Sequence, residues 1–421
     1  MRQLFIASFL LLLSACNLGQ TPPNEVVTNP TSVTGERLVI AWIDAGNLML
    51  WQTGDTLARR IASGGVVEPF IAPDGQHIAF TRGPQGKAET LWIIDSAGIA
   101  EQQLVGERPD SYTAGENQIG DVVWADNRTI YFNTLIQQDP TYSPLNNAYR
   151  VDTRTREISL IAEPTIGGRI SISPNGQYLV TVYHGTYGRQ DAVIRRLDLL
   201  GRDDPDNLLF YEGVSTASEF NFYPPIHWLS TGDTILLAIP DPNLVYSDTQ
   251  TLPLTSLWQI PVNNPSERGI IGTVQASFFG LPQWSSDGSA MTFLQRSGES
   301  NQFTAFIADG NGANPRALFG AVVGNIEPPQ WLPQSNRYSY AQPITGGSGT
   351  RNYFIGSPDS DPVPLSDEAI FTLRFVSDRH YVYITQGTGR LDLRFAELEG
   401  DSQFIASLSA IPIFDAVYIN E

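Results

Sequence analysis

Short apolar runs separated by turn-forming residues fill nearly the whole chain. Segments such as Ile78-Ala-Phe80 and Leu91-Trp-Ile-Ile-Asp95 alternate with the period of two expected of strands, and no long stretch carries a helical period of 3.6. One unit reads Pro69-Phe-Ile-Ala-Pro-Asp-Gly75, then Ile78-Ala-Phe80, then Leu91-Trp-Ile-Ile-Asp95, then Gln103-Leu-Val105. A second repeats that order as Pro282-Gln-Trp-Ser-Ser-Asp-Gly288, Met291-Thr-Phe293, Ala305-Phe-Ile-Ala-Asp309 and Arg316-Ala-Leu318. Each unit predicts four short antiparallel strands. The Asp-Gly pair suits a tight turn between the first two, and the Asp that ends the third can bond its own turn backbone.

Weaker copies fill the remainder. An apolar, usually aromatic residue just before the first turn marks each one: Ile71, Trp124, Ile172, Trp228, Trp284, Trp331 and Phe375. The spacing averages about 50 residues, the period of four-stranded propeller blades. At the front, Leu38–Trp42, Asn47–Trp51 and Ala58–Ile61 supply three strands without a first. At the back, Ile413–Ile419 is a strand without partners. If the last strand completes the first blade, the ring closes and no sheet edge is left open. The expectation is an all-β propeller of about eight four-stranded blades. Seven also fits, because the turn at 329–333 lacks Asp and the copy at 123–127 is one residue shorter.

The sequence Pro-x-Trp-Ser-x-Asp-Gly, followed by an Ile-Ala-Phe type strand and a Leu-Trp-x-x-Asp strand, resembles the repeat of TolB-type (WD40-like) propellers. Propeller domains of dipeptidyl-peptidase IV and prolyl oligopeptidase relatives share it. The resemblance covers residues 38–421, with 69–105 and 282–318 the strong matches. It implies a fold, because the repeat residues are structural in that family.

The first residues add a location. Arg2 precedes an apolar run, Leu4–Leu13, broken only by Ser8. That run is shorter than the roughly 20 residues a spanning helix needs and suits a secretory signal. It ends in Leu13-Ser14-Ala15-Cys16, which resembles a bacterial lipobox, and Cys16 is the only cysteine in the chain. Residues 1–15 are therefore expected to be a lipoprotein signal peptide. Residues 16–36, rich in Pro, Asn, Thr and Ser, are expected to be a lipidated flexible tether on the extracytoplasmic face of a membrane. The propeller would occupy 37–421. A formal net charge of -19 argues against nucleic acid as a partner.

Candidate chemistry is sparse. No Gly-x-Ser-x-Gly elbow is present, and the blades leave no room for a hydrolase domain. His77, His184, His227 and His380 show no metal-ligand spacing. His77 reads as a surface residue at a strand start, His184 as part of an aromatic loop, and His227 as facing either the channel or the next blade. Asp203-Asp204-Pro-Asp206, Asp359-Ser-Asp361 and Asp309-Gly-Asn311 are short acidic turns without a full calcium-loop pattern. No cofactor, metal or catalytic residue is assigned. Two long connections, 137–147 and 240–253, are candidate contact surfaces.

Two functional classes follow. One is a binding module for a protein, peptide or carbohydrate partner. The other is an enzyme, such as a glycan lyase or glycosidase, working through the central channel. A cluster of carboxylates or a Tyr/His/Arg group at the channel mouth favours the enzyme. A bare channel beside an exposed apolar patch favours the module.

Overall fold

Each blade begins with a short inner strand ending at its marker residue and turns back through a hairpin. In a computed structural model, Val66–Ile71 pairs with His77–Arg82, Thr90–Asp95 and Gln102–Val105 in that order, antiparallel throughout. The structure describes residues 35–420 except 107–117, 136–146, 163–166, 186–188, 200–205, 215–221, 244–251, 278–279, 298–301, 320–321, 324–327 and 345–348. The expected signal, Cys16 and the tether to residue 34 lie outside the described residues. The first described strand starts at Glu36, one residue ahead of the expected body.

Seven blades follow in chain order, with inner strands Val66–Ile71, Gln118–Trp124, Arg169–Ile172, His227–Trp228, Gln283–Trp284, Gln330–Trp331 and Ile370–Phe375. They are blades 2 to 8. A single bridge, Arg351 to Ile370, joins the edges of blades 7 and 8. Blade 1 is built from Glu36–Asp44, Asn47–Gln52 and Arg59–Ala62, and Phe414–Asn420 supplies its inner strand. The register runs from Glu36 opposite Asn420 to Trp42 opposite Phe414. The count is therefore eight, closed by the C-terminal strand.

Side chains on successive strand residues point to opposite faces. Both faces of every blade are apolar here, so both must be covered. In Glu36–Asp44, Val39 and Ala41 pack with Ile71, Ile78 and Phe80 of blade 2. Leu38, Ile40 and Trp42 pack with Val382, Ile384 and Leu393 of blade 8. Eight buried clusters result, one for each neighbouring pair of blades around the ring.

Polar staples reinforce these seams. Trp124 Nε1 donates to the Phe70 carbonyl at 3.0 Å, Trp228 Nε1 to Ser171 Oγ at 3.0 Å, and Trp331 Nε1 to the Gln283 carbonyl at 2.8 Å. Each tryptophan thus ties its inner strand to that of the preceding blade. Trp284 instead bonds Gly310 within its own blade, at 2.8 Å.

The hairpin turns form a second tier at one end of the ring. Gly288 has φ +73°, a left-handed conformation that costs glycine nothing. Asp287 accepts from Ser285, Ser289 and, across the seam, Asn336 of blade 7 at 2.8 Å. Burial pushes its pKa up, but these hydrogen bonds prevail and hold it well below the ordinary aspartate range.

Ring closure has its own clasp. Asp415 Oδ2 accepts the Ile71 N–H of blade 2 at 2.7 Å, and Asp415 Oδ1 pairs with Arg374 of blade 8 at 2.8 Å. Asp415→Ala is expected to cost about 2–4 kcal/mol, because a strand-edge donor and a cation lose their partner. Asp359 is exposed and makes no ion pair or hydrogen bond among the described residues, so Asp359→Ala should change stability by less than about 0.5 kcal/mol. Urea unfolding of both variants checks this, and equal effects would refute a clasp at Asp415.

Candidate functional site

Inner strands begin at the end of the ring opposite the hairpin turns. Counting three residues back from each marker reaches equivalent positions at this mouth. Blades 2, 3 and 4 place Glu68, Asp121 and Arg169 there, blades 5, 6 and 7 place Pro225, Leu281 and Pro328, and blade 8 places Thr372. Three successive blades are therefore charged at this level and the next three apolar.

Asp121 and Arg169 form an ion pair across the seam between blades 3 and 4. Asp121 Oδ2 also accepts from Asn133 Nδ2 at 2.9 Å and from the Ile170 N–H at 3.2 Å. This is the Asp415 arrangement used a second time: an inner-strand aspartate caps the exposed edge of the next inner strand and takes an arginine. Edge donors of a strand need such partners.

A cavity of about 580 Å³ opens beside this pair. Asp121, Arg169, Ser171 and Tyr223 form its polar wall, and Val182, Phe222, Pro225 and Leu281 contribute to its apolar wall. The Arg169 guanidinium lies 5.7 Å from the Tyr223 ring centre, within range of a cation–π contact. Behind Tyr223 sits His184, with ring centres 5.3 Å apart, and Tyr183 stacks on its other side at 5.1 Å.

The electrostatics differ between the groups. Burial is the main cause that lowers His184 to about 4, so the ring is neutral at pH 7. Its Nδ1 donates to the Gly185 carbonyl at 2.6 Å, and its buried Nε2 has no hydrogen-bond partner among the described residues. Burial pushes Tyr223 well above the ordinary tyrosine range. Glu68 reaches channel solvent and makes no ion pair or hydrogen bond among the described residues. Partial desolvation, then the charges of Asp121 and Asp415, hold its carboxyl above the ordinary glutamate range.

Of the histidines read from the sequence, only His184 joins the mouth. His77 starts the second strand of blade 2. His227 faces the next blade, its Nε2 3.0 Å from the Ser285 carbonyl. His380 lies between Phe395 and Tyr418, with ring centres 5.5 and 4.3 Å away. Asp309 accepts from Asn314 in a turn, Asp361 lies beside Arg316, and Asp203 and Asp204 lie outside the described residues. Among the described residues, no group of three or more His, Asp or Glu is placed to hold a metal ion. Residues 136–146 and 244–251 of the two long connections lie outside the described residues, and the strands flanking them end at the mouth.

A Tyr/His/Arg group with carboxylates therefore occupies the mouth, but most of it is committed to structure. Asp121 and Asp415 hold strand edges and arginines, and His184 is neutral behind Tyr223. Glu68 is the carboxyl left uncommitted, and a single carboxyl does not make the acid–base pair that glycoside hydrolysis uses. Glu68, Asp121 and Arg169 do not stand out in the sequence. Their signal is a charge at one fixed offset from three successive markers.

No protein-family model and no curated protein matches the chain. Solved structures do. A structure from a study of two prolyl endopeptidases is 12% identical over 83% of this chain and 50% of that one, with a TM-score of 0.52. The β-propeller domain of the Trilobed protease from Pyrococcus furiosus is 10% identical, covering 73% of this chain and 95% of that one, with a TM-score of 0.46. Acylaminoacyl peptidase from Pyrococcus horikoshii is 12% identical over 68% of this chain, with a TM-score of 0.47, and the chain spans only 45% of its length. The likeness is one of fold.

His184 makes the fold sensitive to mild acid. Its pKa is about 4 when folded against 6.5 for an unperturbed histidine, so the unfolded chain holds the extra proton between these limits. Stability therefore falls as pH drops from 6.5 to 4, by about 3 kcal/mol from this group. His184→Phe keeps a ring between Tyr183 and Tyr223 and should remove that part of the loss. Unfolding midpoints at pH 7 and pH 4.5 test it, and an unchanged difference would refute the assignment.

Proposed function

We propose that this protein is a lipid-anchored, extracytoplasmic propeller of the TolB type that binds a ligand or partner at its channel mouth. The observation that carries the reading is the cavity of about 580 Å³ where the charged and apolar sides of the mouth meet. A concave, mainly apolar site with a few convergent polar groups is the common form of a binding pocket. The repeat motif supports the family assignment, and the apolar run ending at Cys16 supports the anchor.

Glu36 sits at the hairpin-turn end, where Arg37 donates to the Asp74 carbonyl. A second reading, turnover of a glycan, draws support from Glu68, an uncommitted carboxyl at the mouth whose pKa is raised chiefly by partial burial, as suits a proton donor.

Two measurements bear on these readings. An alkynyl palmitate should label the wild type grown in a bacterial host and fail to label Cys16→Ser; labelling that survives the substitution defeats the anchor. A thermal-shift screen of peptides and glycans should give hits that Pro225→Trp, which fills the mouth, abolishes. Hits indifferent to Pro225→Trp would move the site elsewhere. A hit that is also consumed, with consumption lost in Glu68→Gln, would establish the enzyme.

A further inference from the structure

Where Arg169 and Ser171 line the mouth cavity, the groups left to bond a ligand are donors. Both Asp121 oxygens are taken, one by Arg169 and the other by Asn133 and the Ile170 N–H. Arg169 uses Nη1 for Asp121, and its side chain remains 60% exposed. Its other N–H groups have no acceptor among the described residues. Ser171 Oγ accepts from Trp228, which leaves its own O–H to donate. What remains unspent on the Arg169 and Ser171 side is therefore donors, and a guanidinium fork matches a carboxylate.

The opposite wall offers apolar surface. Phe222, Pro225, Ile226 and Leu281 line it without an unpaired charge. The overall charge of -19 repels anions at long range, so an anion must gain its affinity from short contacts inside the cavity.

We propose that the mouth cavity binds a carboxylate carried on an apolar body, with Arg169 and Ser171 donating to the carboxylate and Phe222, Pro225, Ile226 and Leu281 receiving the body. This rests on the mouth being the binding site. Two sources share the chemistry: a free organic acid, and the C-terminal carboxylate of a peptide ending in an apolar residue.

Titration calorimetry on the full-length protein would use three probes: acetyl-Ala-Ala-Leu as the free acid, the same peptide as its amide, and 4-methylpentanoate. At least one carboxylate probe should bind, with the peptide amide at least about tenfold weaker than the peptide acid where that peptide binds. Whichever carboxylate probe binds names the source. Arg169→Gln should lose that binding by about tenfold or more, and Arg169→Lys should recover part of it. Melting curves would confirm that both variants are folded. Equal affinity for acid and amide, binding that survives Arg169→Gln, or no binding of any probe at millimolar concentration overturns the proposal. If acid and amide bind equally and Pro225→Trp abolishes both, the mouth stands and only the carboxylate falls. If that binding survives Pro225→Trp, the mouth reading falls too.

Discussion

Every blade of this protein has two apolar faces, and that constraint governs the rest. A sheet with one apolar face can meet water on the other, but Glu36–Asp44 is buried on both sides by Val39 and Ala41 in one direction and Leu38, Ile40 and Trp42 in the other. An open row of such blades would leave an apolar face at each end. The chain resolves this by sending Phe414–Asn420 back to blade 1, so that the eighth seam is covered like the other seven. Closure makes stability a cooperative property of the ring, because no blade can leave without exposing two faces.

Inner strands create a second demand. Each has one edge in the sheet and one facing the channel, where backbone donors lack a sheet partner. Asp415 and Asp121 answer it in the same way, each accepting an N–H of the following inner strand and an arginine. Charge in the channel is thus first a structural device. A carboxylate whose oxygens already hold a strand edge and an arginine is poorly placed to reach a substrate.

Much of the fold is legible in the sequence, because the repeat is written in local chemistry. The Asp-Gly turns, the period-two strands and the marker residues each come from one short segment, and the unmatched strands at either end point to the closure. What the markers do is not legible: Trp124, Trp228 and Trp331 bond across seams to residues 48 to 57 positions earlier. The mouth is legible only in part. His184 reads as part of an aromatic loop, but Tyr223, which covers it, is 39 positions away in the next blade. Glu68, Asp121 and Arg169 are ordinary singly, and their common offset acquires meaning only once the ring makes them neighbours.

The mouth is where the repeat departs most from itself. At the hairpin-turn end, blades reuse similar residues because every turn solves the same problem. At the mouth, equivalent positions run from Glu68 through Asp121 and Arg169 to Pro225, Leu281 and Pro328. The cavity spans the junction of those two halves, with Asp121 and Arg169 on one side and Pro225 and Leu281 on the other. Asp121 serves the fold by capping a strand edge, but Asp415 and Arg374 show that a clasp can sit elsewhere on the inner strands, and blades 5 to 7 carry apolar residues at that level. That polarity boundary, set around a concavity, matches the ligand proposed above, with one charged and one apolar end.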